Sequence, residues 1–219
     1  MASTLTHAAA EVAIGPHRLA GILHVPSNAK GLVIFAHGSG SGRLSPRNNY
    51  VAAGLQRAGL ATLLLDLLTP AEENDRANVF DIGLLAGRLG EAADWASVQP
   101  EIATLPVGYF GASTGAAAAL VAAAYRDGRI KAVVSRGGRP DLAGKFLARV
   151  RAPTLLLVGS RDQPVIGMNR DALRAMICER QMIIVPGAGH LFEEPGRLDV
   201  VILQASSWFN SHFAGGERR

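Results

Sequence analysis

PVGYF-GASTG-AAAALVAAAY, residues 106–125, reads as a strand, a sharp turn and a helix. Val107 to Phe110 form a short apolar run of the kind a buried strand requires. The alanine-rich segment after Thr114 has the propensity and length of a helix. Between them stands Gly111-Ala112-Ser113-Thr114-Gly115, a G-x-S-x-G pentapeptide. Two glycines without side chains let strand and helix crowd together, so the serine between them is held in a strained backbone conformation with its hydroxyl projecting. The same turn puts Ser113 at a helix N-terminus, where the dipole and free N–H groups favour developing negative charge. Alone, the pentapeptide is an ordinary Gly/Ser turn in a chain with 25 glycines. The strand before it and the helix after it make Ser113 a candidate nucleophile.

Outward from this unit the pattern repeats. LVIFAH (32–37), ATLLLD (61–66), KAVVSR (131–136), TLLLVG (154–159) and QMIIVP (181–186) are continuous apolar runs, as strands covered on both faces require. Helical patterns fall at 48–58, about 80–97, 141–148, 165–178 and 197–213. This alternation predicts an α/β fold with a mostly parallel, doubly wound sheet and helices on both faces. EVAIG and RLAGILHVP flank the turn signal GPH and predict an antiparallel N-terminal strand pair. No composition break divides the chain, so residues 1–219 are expected to form one domain, with about 1–10 flexible. Residues 69–79, TPAEENDRANV, read as a polar loop able to overhang the strand ends.

In such sheets ligands bind beyond the carboxyl ends of the strands. A serine hydroxyl is a poor nucleophile near neutral pH; it needs a base, and the base needs a partner that fixes its tautomer. After Ser113 the chain has two histidines. His190 follows the strand QMIIVP in the loop PGAGHLFEEPG, whereas His212 lies among Trp208, Phe209 and Phe213 and reads as a surface or packing residue. Asp162 follows TLLLVG one strand earlier; the plainer role for it is capping the next helix. Asp66 competes as the acid but precedes the nucleophile, and Asp141 reads as a helix start. The expected oxyanion donors are the backbone N–H of Thr114 and, from the loop His37-Gly38-Ser39-Gly40, that of Ser39, with Gly40 the close alternative. His37 itself is expected to brace that loop.

The charge balance is +4, with 48% hydrophobic and 18% charged residues. That composition supports a sizeable core and argues against disorder. Lys and Arg are scattered, and neither zinc-finger spacing nor an RNA-binding aromatic motif is present, so no nucleic-acid partner is expected. Ala116–Ala124 is too short to span a bilayer, so no membrane partner is expected either. The first residues lack the pattern of a signal peptide, and a single cysteine, Cys178, allows no internal disulfide. Cytoplasmic residence is the expectation.

Together HGSGSGR (37–43), GASTG (111–115), GSRD (159–162) and GAGH (187–190) resemble the α/β-hydrolase superfamily, within it the small, lidless dienelactone hydrolase-like branch. The resemblance covers about 18–213 and implies a Ser113–Asp162–His190 triad in the superfamily's chain order. It also implies hydrolysis of a small-molecule ester, thioester or lactone with no metal or organic cofactor. The chain departs from dienelactone hydrolase itself, which uses a cysteine nucleophile; ALRAMICER places Cys178 in an apolar helix instead. The phrases HGSGSGRLSPRN and SRGGRPDL also resemble a bacterial subgroup of hydrolases found beside phosphoribosyltransferase-type domains, although nothing in this chain resembles a pyrophosphate-binding transferase loop.

Arg43, Arg47, Arg136 and Arg139 fall in loops at the strand ends. Arginine binds carboxylate or phosphate in bidentate fashion, so Arg43 or Arg136 is a candidate for holding an anionic substrate group. The alternative is that these residues pair with Glu72, Glu73 or Glu193 and shape the loops. Two rival functions remain open at this point. One is a nucleotide-binding oxidoreductase, for which the glycine fingerprint is unmet. The other is a non-catalytic binding module on the same fold.

Overall fold

The computed structural model describes residues 9–214. The expected flexibility of residues 1–8 lies outside them, and Ala10 already belongs to a strand. Eight strands form one sheet: β1 (Ala10–Ile14), β2 (Leu19–His24), β3 (Leu32–Ala36), β4 (Ala61–Leu65), β5 (Val107–Ala112), β6 (Ile130–Arg136), β7 (Thr154–Gly159) and β8 (Arg180–Val185). Their spatial order is β1-β2-β4-β3-β5-β6-β7-β8. β2 runs antiparallel to both β1 and β4, whereas β3 to β8 are mutually parallel.

The uninterrupted apolar runs are explained by burial on both faces. In β3, Leu32, Ile34 and Ala36 point into one core, and Val33 and Phe35 into the other. A strand's side chains alternate between faces, so a doubly covered strand favours apolar residues at successive positions. The first core is closed by α4 (Ile82–Ala96), α5 (Thr114–Tyr125), the 3₁₀ segment Pro140–Arg149 and α6 (Gln163–Ala175). The second is closed by α1 (Pro46–Arg57) and α7 (Arg197–Phe213). The alanine run of α5 is buried from Thr114 to Ala124 on every side, so methyl-sized side chains set how closely it lies against β5 and α4. Among the described residues no helix is long and apolar enough to cross a membrane.

Three expectations need correction. Residues 69–79 are not a bare loop but two short helices, α2 (Pro70–Glu73) and α3 (Arg76–Phe80). Thr69 and Glu72 form a reciprocal capping box, and Asp75 accepts from Ala77 N–H at 2.9 Å, which supplies these turns with partners despite their polar composition. Glu72 is also tied to the buried Arg88 of α4, which in turn holds Glu91. The helix expected at 141–148 is 3₁₀ and kinked at Gly144 (φ 51°), a backbone conformation open mainly to glycine. Finally, α6 ends at Ala175, so Cys178 lies beyond the helix.

Enlarging a side chain inside α5 should be felt directly. Ala119→Leu is expected to lower stability by about 1–3 kcal/mol, read as a reduced urea midpoint at unchanged slope.

Candidate active site

Ser113 sits between β5 and α5 with φ 51° and ψ −123°, a conformation that costs a non-glycine residue of order 1–3 kcal/mol. The neighbouring glycines show why nothing larger is possible. A Cβ at Gly115 would stand 2.2 Å from the Ala36 carbonyl oxygen and 2.4 Å from that of His37; one at Gly111 would stand 2.4 Å from Ala116 Cα. One at Gly38 would lie 2.9 Å from Ser113 Cβ. The turn after β6 holds the serine backbone from the other side: Ser113 N–H donates to Arg136 O (3.4 Å), and Arg139 N–H donates to Ser113 O (3.0 Å). Although Ser113 occupies the N-cap position of α5, its side chain makes no capping bond. The hydroxyl is half-buried and bonds to no described residue.

Asp162 occupies the N-cap of α6 and likewise makes no capping bond. Its carboxylate instead meets His190 Nδ1 at 2.6 Å. The carboxylate is 11% exposed and the imidazole 39%, so the acid is enclosed and the base faces solvent. The His190 loop is braced on both sides. Gly187 N–H donates to Ser160 Oγ (2.8 Å), Arg161 N–H to Ala188 O (2.9 Å) and Gly189 N–H to Glu194 Oε1 (2.9 Å). Backbone N–H groups of Glu194 itself and of Gly189 hold the Glu194 carboxyl below the usual carboxylate range. A Cβ at Gly137 would lie 2.7 Å from His190 O, so this loop rests on the same post-β6 turn that holds Ser113. The structure thus brings Asp162 and His190 into contact and seats them and Ser113 against one turn, without a hydrogen bond between the serine hydroxyl and the imidazole.

The loop after β3 borders a cleft of about 720 Å³ lined by Gly38, Ser39, Gly40, Arg43 and, from the 69–79 segment, Glu73 and Val79. That segment does overhang the strand ends. His37 braces the loop as expected: Leu67 N–H donates to Nε2 (3.0 Å), so the ring proton is on Nδ1, which bonds Gly38 O (3.0 Å). The assignment of Ser39 as an oxyanion donor is corrected. Its single N–H proton is already directed to Thr114 Oγ1 at 3.0 Å, which leaves the adjacent Gly40 N–H as the remaining expected candidate.

Two further corrections concern the arginines. Arg43 donates from its backbone to Asp66 Oδ1 at 2.7 Å and its guanidinium pairs with Asp66 Oδ2, so its charge is neutralised and Asp66 is committed away from His190. Arg136 is 6% exposed, with donors directed to Leu191 O and Asn48 Oδ1, each at 3.2 Å. Neither arginine offers a free fork to an anion in the cleft. Arg47 takes the pairing role on Glu193 (2.5 Å), and Arg139 pairs with Asp141 (2.8 Å). Sequence reasoning did not find Asn48, the Thr114 side chain or Phe192. Their only signals were a polar residue on a helix predicted to be buried, a β-branched residue after the serine, and an aromatic beside the histidine. Cys178 is half-buried near Thr154, and burial pushes its thiol pKa up, away from nucleophilic use. His212 packs against Trp208 with ring centroids 4.5 Å apart and ring planes tilted by 45°. Among the described residues no three His, Cys, Asp or Glu side chains cluster to hold a metal.

Comparison with known proteins follows this geometry. The family model of the dienelactone hydrolase family matches residues 19–208. A dienelactone hydrolase from Anabaena variabilis superposes with a TM-score of 0.89 at 56% identity, over 94% of this chain and 97% of that one. Est1E from Butyrivibrio proteoclasticus shares the fold, with a TM-score of 0.77 at 16% identity over 94% and 99% of the two chains. A Mycobacterium tuberculosis protein with the name "Putative phosphoribosyl transferase" is 58% identical over 205 residues, which are 94% of this chain and 46% of that protein. The chain therefore spans about half the length of the curated relatives it matches. A matched segment that runs from β2 into α7 and takes in both the Ser113 turn and the Asp162–His190 pair means that the chain belongs to the dienelactone hydrolase family.

Proposed function

We propose that this chain is a serine hydrolase that cleaves small-molecule esters, thioesters or lactones through an acyl-enzyme on Ser113. The observation that carries this reading is the Asp162–His190 bond. A residue placed to cap a helix leaves the cap unmade and orients an imidazole instead, and the same turn that holds this histidine loop holds Ser113, whose strained backbone keeps its hydroxyl free. With Nδ1 engaged by the carboxylate, Nε2 is the nitrogen available as base.

The steps use only these groups and water. His190 Nε2 takes the hydroxyl proton as Ser113 Oγ bonds to the acyl carbon. The oxyanion is met by the Thr114 N–H at the start of α5 and by the Gly40 N–H. Collapse of the intermediate breaks the bond to the leaving alkoxide or thiolate, which receives the proton from His190. Water then attacks the acyl-enzyme, giving its proton to His190, and the released serine regains it. Asp162 stabilises the imidazolium formed in each half-reaction. The transferase name belongs to a protein of which this chain covers 46%. The Ser113 turn and its partners support hydrolysis for this segment.

Ser113→Ala is expected to lower p-nitrophenyl acetate turnover by about ten-thousandfold or more and to abolish fluorophosphonate labelling. A mutant that keeps wild-type turnover refutes the nucleophile. Asp162→Asn should cost about 10³–10⁴-fold in kcat. Thr114→Val leaves the Ser39 N–H without its partner and is expected to cost about 1–2 kcal/mol of stability and about tenfold in kcat. A rise in kcat would instead identify the freed Ser39 N–H as an oxyanion donor.

A further inference from the structure

Arg136 is a buried cation at the active-site edge whose charge is matched by no carboxylate among the described residues. Around this edge Arg43 pairs with Asp66, Arg47 with Glu193 (2.5 Å), Arg139 with Asp141 (2.8 Å) and Arg161 approaches Glu194 (3.9 Å). Arg136 has no carboxylate within ion-pair distance among the described residues, is 6% exposed, and leaves its buried Nε without a partner. Burying an uncompensated cation costs several kcal/mol, and an apolar side chain of similar volume avoids that cost. What the arginine does there is geometric. Its two terminal nitrogens reach Leu191 O on the histidine loop and Asn48 Oδ1 on α1, and its guanidinium carbon lies 6.0 Å from the centre of the Phe192 ring. Phe192 is 1% exposed and held at φ 59°, a left-handed conformation unfavourable for a bulky residue. The backbone carbonyl of the same arginine accepts from Ser113 N–H.

We propose that Arg136 is a positioning residue. Its buried guanidinium ties the strained His190–Phe192 segment to the strand end that carries the Ser113 turn. This deepens the serine-hydrolase reading and rests on it. A planar fork reaches the Leu191 and Asn48 oxygens together, which a lysine ammonium on a single stem does not reproduce. Burial draws the Arg136 pKa down to about 10, which leaves it charged at neutral pH.

The test is the rate of fluorophosphonate labelling of Ser113, with kcat and KM for p-nitrophenyl acetate and for an anionic ester, in the wild type, Arg136→Met and Arg136→Lys. Arg136→Met is expected to lose about thirtyfold in labelling rate and kcat and to change KM less than about threefold. Its urea midpoint should be unchanged or higher, because the uncompensated buried charge is gone. Arg136→Lys keeps the charge but not the planar fork and should lose about tenfold in labelling rate and kcat with KM held, and it decides the matter if the methionine variant does not fold. A labelling rate and kcat equal to the wild type in either variant overturn the proposal. So does a KM raised only for the anionic ester with kcat intact, which would make Arg136 a substrate-binding residue. A wild-type protein that the probe does not label overturns the serine-hydrolase reading instead.

Discussion

Where β5 turns into α5, the helix start lies so close to β3 that a single methyl group on Gly115 would meet the carbonyl oxygens of Ala36 and His37 at 2.2 and 2.4 Å. That approach has consequences in both directions along the chain. It forces Ser113 to φ 51°, which turns its side chain away from the capping position and leaves the hydroxyl unspent. It also brings Thr114 within reach of the loop after β3, so that Ser39 N–H and Thr114 Oγ1 bind each other and the loop is carried by the helix. A looser turn would relieve the strain of Ser113 and lose both features. The core supplies the compression: α5 is buried along its length and packed against β5, α4 and the 3₁₀ segment.

Strain recurs in the second half of the site. Phe192, two residues past His190, sits in the left-handed region, and Gly137 carries His190 O at a distance no Cβ would tolerate. Both halves rest on the turn after β6. Its backbone grips Ser113 through Arg136 O and Arg139 N–H, and the Arg136 side chain grips the histidine loop. The two segments that carry the proposed nucleophile and base are therefore referenced to one rigid strand end, which is how positions far apart in sequence can be held to the tolerance that proton transfer needs.

Family membership and the name carried by the longer mycobacterial relative point to different chemistries. They need not conflict, because this chain covers 46% of that relative. The Ser113 turn and the Asp162–His190 pair both lie inside the stretch that matches the dienelactone hydrolase family. A function can reside in one portion of a chain while the name reflects another.

Local features of the chain were sufficient for the sheet and the candidate residues. Doubly covered strands demand unbroken apolar runs, and a strand–serine turn–helix unit needs glycines at fixed offsets; both are properties of a few neighbouring residues and so survive in the sequence. Ser113, Asp162 and His190 were legible as candidates because each lies in the turn or loop that follows such a run, and their pairing was expected from the chain order that the resemblance implies. What only the folded structure decided was which polar group meets which across the sheet edge. Ser39 looked free until Thr114 proved to be its acceptor, and Arg136 looked like an exposed loop arginine until α1 and the histidine loop closed over it. The polar segment 69–79 read as loop because capping bonds, not apolar spacing, make its two short helices. Hydrophobic periodicity records burial averaged over many residues, whereas a hydrogen bond between residues 136 and 191 depends on the placement of two loops to within about half an ångström, and only the packed core sets that.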